Sequence, residues 1–146
     1  MKEIQGIKLA EVEYSIGYLL RRAHRMAQNV TIPILANHEL SQLELTTLYL
    51  VRENRNCTLR NISKAVFLEP PGMHRLLKGL EKKGLISRSK SEQDARYTFT
   101  RITPSGEKKV AESIVDVRNI EQAFLEKLSR DQKKQLFAIL QALALD

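Results

Sequence analysis

Apolar positions recur at helical spacing from Leu9 to Val30: Leu9, Val12, Ile16, Leu19, Leu20, Ala23, Met26, Ala27 and Val30. This predicts a long amphipathic helix. Residues 31–38, Thr-Ile-Pro-Ile-Leu-Ala-Asn-His, are expected to interrupt it, because Pro33 biases Ile32 away from helical geometry and Asn37 favours a turn. A second helix should open at Ser41, whose side chain and that of Glu44 form a capping-box pair, and carry a stripe of Leu40, Leu43, Leu48 and Val51. After the polar break at 53–56, Thr58 is the next N-cap. Leu59, Ile62 and Val66 then mark a short helix with Arg60, Asn61 and Lys64 turned outward.

Phe67-Leu68-Glu69 reads as a connector, and Pro70-Pro71 suits a helix start, where a missing N–H is no loss. In the helix that follows, Met73, Leu76, Leu77 and Leu80 share one face and belong to a core, while Pro71, Arg75, Lys78 and Lys82 fall on the opposite face. Gly84 is its expected C-cap. Beyond Gly84 the period changes to two: residues 85–90 and 97–102 are strand-like, with a polar turn at 91–96, and predict a β-hairpin. Thr103 with Pro104 starts a long helix whose stripe is Val110, Ile114, Val117, Phe124 and Leu128. Ser129 with Gln132 is a second capping box, opening a last helix with Leu136, Ile139, Leu140 and Leu143. The fold class expected is mainly α with a small β-hairpin wing.

Charge changes this picture. Residues 55–101 hold 11 Lys and Arg against 4 Asp and Glu, whereas residues 1–54 hold 6 and 6 and residues 102–146 hold 7 and 7. The formal net charge of +7 therefore belongs to the block of two short helices and the hairpin, as a polyanion-binding face would require. Two tandem helices, the second with a basic outer face, followed by a hairpin with basic flanks, are the parts of a winged helix-turn-helix: the second helix fits the major groove of B-DNA and the hairpin reaches the adjacent minor groove. The apolar stripes of the first and last two helices exceed what a lone winged helix of this size would bury, and burial against a second copy is the simplest answer.

Composition excludes other classes. The single cysteine makes no internal disulfide, the N-terminus does not resemble a signal peptide, and no apolar run approaches the roughly 18 residues of a membrane span, so a cytoplasmic protein without a membrane partner is expected. His24, His38 and His74 lack metal-ligand spacing, and no catalytic triad, paired carboxylates or phosphate loop is present, so neither a metal, a cofactor nor an enzyme is expected. Cys57, beside Arg55 and a helix start, is weighed as a thiol sensor against an ordinary small turn residue, and the latter is favoured.

The run Leu76-Leu77-Lys78-Gly79-Leu80-Glu81-Lys82-Lys83-Gly84-Leu85-Ile86-Ser87-Arg88, then Asp94-Ala95-Arg96, then Ile102-Thr103-Pro104-Ser105-Gly106, resembles the MarR family of bacterial and archaeal regulators in order and spacing. The resemblance implies a homodimeric transcription factor, usually a repressor, that binds double-stranded DNA at pseudo-palindromic operators. It implies a winged-helix DNA-binding part at 41–103 and a dimerisation part at 1–40 and 104–146. It also implies a small aromatic or phenolic effector held between the two parts, near which Arg21, Arg22 and His38 would fall if they are not surface or dimer rim.

Carried over by residue, Pro71, Gly72, His74, Arg75 and Lys78 fall on the recognition helix, Arg96 is the minor-groove probe, and Asp94 is its anchor. Lys78, Lys82, Arg88 and Lys90 are expected to touch phosphate rather than bases, and Arg60 and Lys64 to make positioning contacts. The chain departs from the family pattern at Pro70-Pro71-Gly72-Met73, where many members carry Ser and Thr, and at Ala95, where a second arginine is common. The competing reading is a winged-helix module for protein contacts or non-specific nucleic-acid binding, and a protein-docking module would have no need of a basic Arg75, Lys78 and Arg96 surface.

Overall fold

The computed structural model describes residues 3–90 and 96–145. In chain order the elements are β1 (Glu3–Ile4), β2 (Ile7–Lys8), a 3-10 helix (Ala10–Tyr14), α1 (Ile16–Asn37), α2 (Gln42–Glu53), β3 (Cys57–Thr58), α3 (Leu59–Ala65), α4 (Pro70–Lys82), β4 (Ile86–Lys90), β5 (Thr98–Ile102), α5 (Pro104–Phe124) and α6 (Arg130–Ala144). The chain divides into two compact units, residues 32–117 and residues 1–31 with 118–146, so that α1 and α5 each contribute to both. No described helix is long and apolar enough to cross a membrane.

The unit of residues 32–117 has a continuous apolar core. Leu35, Leu40, Leu45, Leu48, Val51, Ile62, Met73, Leu77, Leu80, Leu85, Ile86 and Val110 are buried together with Cys57. The i, i+4, i+7 set Met73, Leu77 and Leu80 packs inward from α4 as its spacing predicts, and Leu76 is half-buried at the margin. The sheet runs β3-β5-β4, all antiparallel, with Arg88 opposite Thr100 and Cys57 opposite Thr100 on the other side. The hairpin was legible. The short strand β3 was not, because two residues carry no period.

The caps explain where the helices begin. Ser41 N–H donates to Glu44 Oε2 (2.8 Å) and Glu44 N–H to Ser41 Oγ (3.2 Å), closing the box that the sequence predicts. Ser129 and Gln132 do the same at α6. Thr58 caps α3, with Asn61 completing an unforeseen reciprocal pair.

The expected break around Pro33 does not occur: α1 continues through Pro33 to Asn37. A proline removes one intrahelical bond but leaves its own carbonyl to accept, and burial of Leu35 outweighs that loss. The helix ends later, where Leu40 N–H reaches Leu35 O (3.0 Å) and Glu39 N–H reaches Ala36 O (3.0 Å) with Glu39 at φ 55°. At its other end the predicted helix from Leu9 is instead a 3-10 turn followed by α1 from Ile16.

One tether fixes α4 against the start of α2. Lys83 Nζ donates to Glu39 O and to Glu44 Oε1, both at 2.8 Å. Burial alone would push the Glu44 carboxyl up, but the Lys83 ammonium and the Ser41 donors together hold it below its ordinary value of 4.5. A depressed carboxylate pKa contributes stability that is present above 4.5 and lost as pH falls through the lower folded value. Glu44→Gln should therefore cost about 1 kcal/mol at neutral pH, after discounting for the solvent around Lys83, and progressively less as pH falls below that of an ordinary carboxylate. Urea titrations of both proteins at several pH values check this; a difference independent of pH would contradict it.

Candidate nucleic-acid interface

The basic face is assembled from two helices and a sheet edge. Arg60 and Lys64 are exposed on α3, and Pro71, His74, Arg75, Lys78 and Lys82 are exposed on α4, opposite the buried Met73, Leu77 and Leu80. The spacing of residues 71, 75, 78 and 82 thus becomes one solvent-facing ridge. Among the described residues none of Arg60, Lys64, Arg75, Lys78 or Lys82 is ion-paired, so their charge faces outward uncompensated. Gly72 behaves differently from its neighbours. A Cβ there would lie 3.1 Å from Leu68 Cδ1, so this glycine lets the helix-turn-helix turn close against α4.

On the hairpin, Lys90 and Arg96 are exposed. Arg88 shares the sheet face of Ile86 and Thr100, is half-buried, and its Nε is buried without a hydrogen-bond partner among the described residues. Its stem therefore belongs to the packing as well as to the surface. Asp94 lies outside the described residues, as does the turn at 91–95. Arg101, which the sequence reading left without a role, ties the outer sheet face together: Nη1 donates to Ser89 Oγ (2.9 Å) and Nη2 to Asn56 Oδ1 (3.0 Å). Its alternation with buried Thr100 was the available signal. His38, weighed near an effector cavity, has Nε2 2.8 Å from Asp116 Oδ2.

A sequence model of the MarR family matches residues 40–98, the segment that carries α2, the helix pair and the first strand of the hairpin. That segment is similar to the MarR family. The HTH-type transcriptional regulator YwhA of Bacillus subtilis (strain 168) is 29% identical over 97 residues, covering 66% of this chain and 70% of that one. Among solved structures, the transcriptional repressor CouR bound to a 23-mer DNA duplex is 25% identical with a TM-score of 0.90, covering 94% of this chain and 98% of that chain. CouR from Rhodococcus jostii RHA1 bound to p-coumaroyl-CoA is 22% identical with a TM-score of 0.81, covering 92% and 94%. The chain has a winged-helix fold and is similar, in that segment and in its fold, to DNA-binding transcriptional regulators of the MarR type.

The thiol of the helix-and-hairpin unit is structural. Cys57 is buried in β3, its Sγ donates to Asn54 O (3.2 Å), and burial pushes its pKa up, away from the thiolate form that oxidants attack. An aromatic disulfide reagent at neutral pH should accordingly label Cys57 in the native protein at least about tenfold more slowly than in denaturant. Rapid labelling of the folded chain would contradict this reading.

Proposed function

We propose that this chain is a ligand-responsive repressor that binds a pseudo-palindromic operator as a homodimer. The observation that carries the DNA-reading part is the unpaired, exposed ridge of Arg75, Lys78 and Lys82 on α4, beside exposed Arg96 on the hairpin, in a fold similar to that of a repressor solved on duplex DNA. In this reading Arg75 and His74 meet base edges in the major groove and Arg96 enters the minor groove. Arg60, Lys64, Lys78, Lys82, Arg88 and Lys90 hold phosphates. Asp94 retains the anchoring role that the family motif implies.

Dimerisation is supported by surface that a monomer would leave wet. In the unit of residues 1–31 and 118–146 no described apolar side chain is fully buried, while Ile16 is 71% exposed and Leu143 68%, and Val12, Leu19, Leu20, Phe137 and Ile139 are exposed too. Apolar faces of this extent are sites of association. Two copies would present their α4 helices to successive major grooves, about 10 base pairs apart. Effector control is supported by the CouR complex with p-coumaroyl-CoA and by a cavity of about 530 Å³ on α1, lined by Tyr18, Arg21, Arg22, His24 and Arg25 among others, whose composition suits an aromatic anion.

Selection of binding sites from random duplex DNA, repeated with aromatic acids and their thioesters, tests the whole reading: a two-fold symmetric site whose occupancy falls with one of these compounds is expected, and recovery of no preferred site would overturn it. On the selected site, Arg75→Ala should relax preference at one base pair per half-site, at a cost of about 1 to 3 kcal/mol; an equal loss on every sequence would show a phosphate contact instead. Removal of residues 129–146 should leave a monomer in light scattering. A monodisperse dimer of the shortened chain would place the interface elsewhere.

A further inference from the structure

Three helices of this chain end in the same turn. At α4, Leu85 N–H donates to Leu80 O (3.0 Å) and Gly84 N–H to Glu81 O (2.9 Å), and the residue between helix and strand, Gly84, has φ 71°. At α3 the equivalent bonds run from Leu68 N–H to Ser63 O (3.0 Å) and from Phe67 N–H to Lys64 O (3.4 Å), and the left-handed residue is Phe67, at φ 52°. This position belongs to glycine, because an L side chain there crowds its own carbonyl, and a bulky aromatic is among the least suited residues. The compensation is not burial. Leu68 takes the inward place against Gly72, and Phe67 is 90% exposed.

Folding therefore gains nothing from the ring of Phe67 and bears the backbone strain that it imposes. Its setting shows what the ring fits. It stands in the turn between α3 and α4, followed by exposed Pro70 and Pro71 at the first turn of α4, with the unpaired cations Arg60 and Lys64 on one helix and Arg75 on the other. An exposed apolar tip on a turn whose two flanking helices carry exposed cations suits a surface that is anionic at its rim and apolar at one point. In duplex DNA that point is the thymine 5-methyl, the only apolar group on the major-groove edge of a base pair, and phenylalanine is one of the side chains suited to it. Pro70 and Pro71 extend the same apolar surface and carry no backbone N–H that would be left without a partner against it.

We propose that Phe67 is a specificity residue of this regulator, reading a thymine methyl at the leading edge of each half-site. The assignment rests on the DNA-binding reading above. It also supplies what the departure at Pro70-Pro71-Gly72 removes: discrimination by hydroxyl groups is replaced by discrimination through an apolar contact.

The test uses the full chain and the duplex that it selects from random DNA. Thymines of each half-site are replaced one at a time by deoxyuridine, which deletes the methyl and nothing else. The wild-type protein should lose about fourfold in affinity at one such position, the worth of one buried methyl group. Phe67→Ala should show a similar loss on the thymine duplex and no further loss on the deoxyuridine duplex. Phe67→Gly should raise Tm by a few degrees while binding no better than Phe67→Ala, since it relieves the backbone without restoring the ring.

A methyl dependence equal in the wild-type and Phe67→Ala proteins, or unchanged DNA affinity in Phe67→Ala, would overturn the assignment alone, and the second result would point to a protein partner for the ring. Failure of the wild-type chain to enrich any duplex would overturn the DNA-binding reading and this assignment with it.

Discussion

The winged helix of this protein turns on one junction, where the end of α4, the first residue of the hairpin and the start of α5 share hydrogen bonds. Thr103 N–H donates to Leu85 O (3.1 Å), Thr103 Oγ1 donates to Gly84 O (2.7 Å), and Gly106 N–H returns a bond to Thr103 Oγ1 (3.1 Å). The threonine thus caps α5 and closes the turn after α4 with a single side chain. Gly106 is what allows the approach: a Cβ would collide with the Leu85 carbonyl and lie 2.7 Å from Ile102 Cγ1. The consequence is geometric. The direction of α4 and the root of both hairpin strands are set by one contact, so the helix ridge and the wing are presented as one rigid surface.

Much of this was readable in the sequence, for a physical reason. The residues that cap, turn or break a helix act within a few positions of themselves, so Ser41 with Glu44, Ser129 with Gln132, Pro70, Gly84, and Thr103 with Pro104 declare their roles locally. The amphipathic spacing of α4 declares its two faces in the same way, which is why the outward set of Arg75, Lys78 and Lys82 and the inward set of Met73, Leu77 and Leu80 were both recovered. What failed was whatever depends on a distant neighbour. Pro33 reads locally as a break, but burial of Leu35 carries the helix past it. Strand β3 exists only because β5 pairs with it, and Arg101 is informative only once Asn56 and Ser89 stand beside it. Phe67 looked like a connector because a left-handed φ leaves no trace in a sequence unless glycine or asparagine occupies the position.

The two units also differ in how they are held. The unit of residues 32–117 has its own buried core, a hydrogen-bonded sheet and the Lys83 tether, so its fold is accounted for within one chain. The other unit has helices with sound caps but large apolar side chains in water, and caps contribute only about 1 kcal/mol each. In the proposed dimer its stability would be tied to association, and with it the spacing of the two DNA-reading surfaces. A ligand that altered the packing of those helices would act on operator spacing without touching the residues that read bases.

The first turn of α4 constrains how this chain could hold DNA in the proposed reading. A helix N-terminus ordinarily offers a phosphate several unsatisfied N–H groups with the positive end of the helix dipole behind them. Here Pro70 and Pro71 have no N–H, Met73 N–H is already committed to Glu69 O (3.0 Å), and Glu69 makes no side-chain cap, so the first turn itself offers the N–H of Gly72 but none from its two prolines. If this chain binds DNA as proposed, phosphate binding would come from side-chain cations, whose contribution is lost as salt rises, and discrimination from the few residues that can meet base edges. That division follows from two prolines and a glycine. Under the proposed DNA-binding reading it would leave base contacts to His74, Arg75 and the exposed ring at the preceding turn, and phosphate contacts to the lysines and remaining arginines.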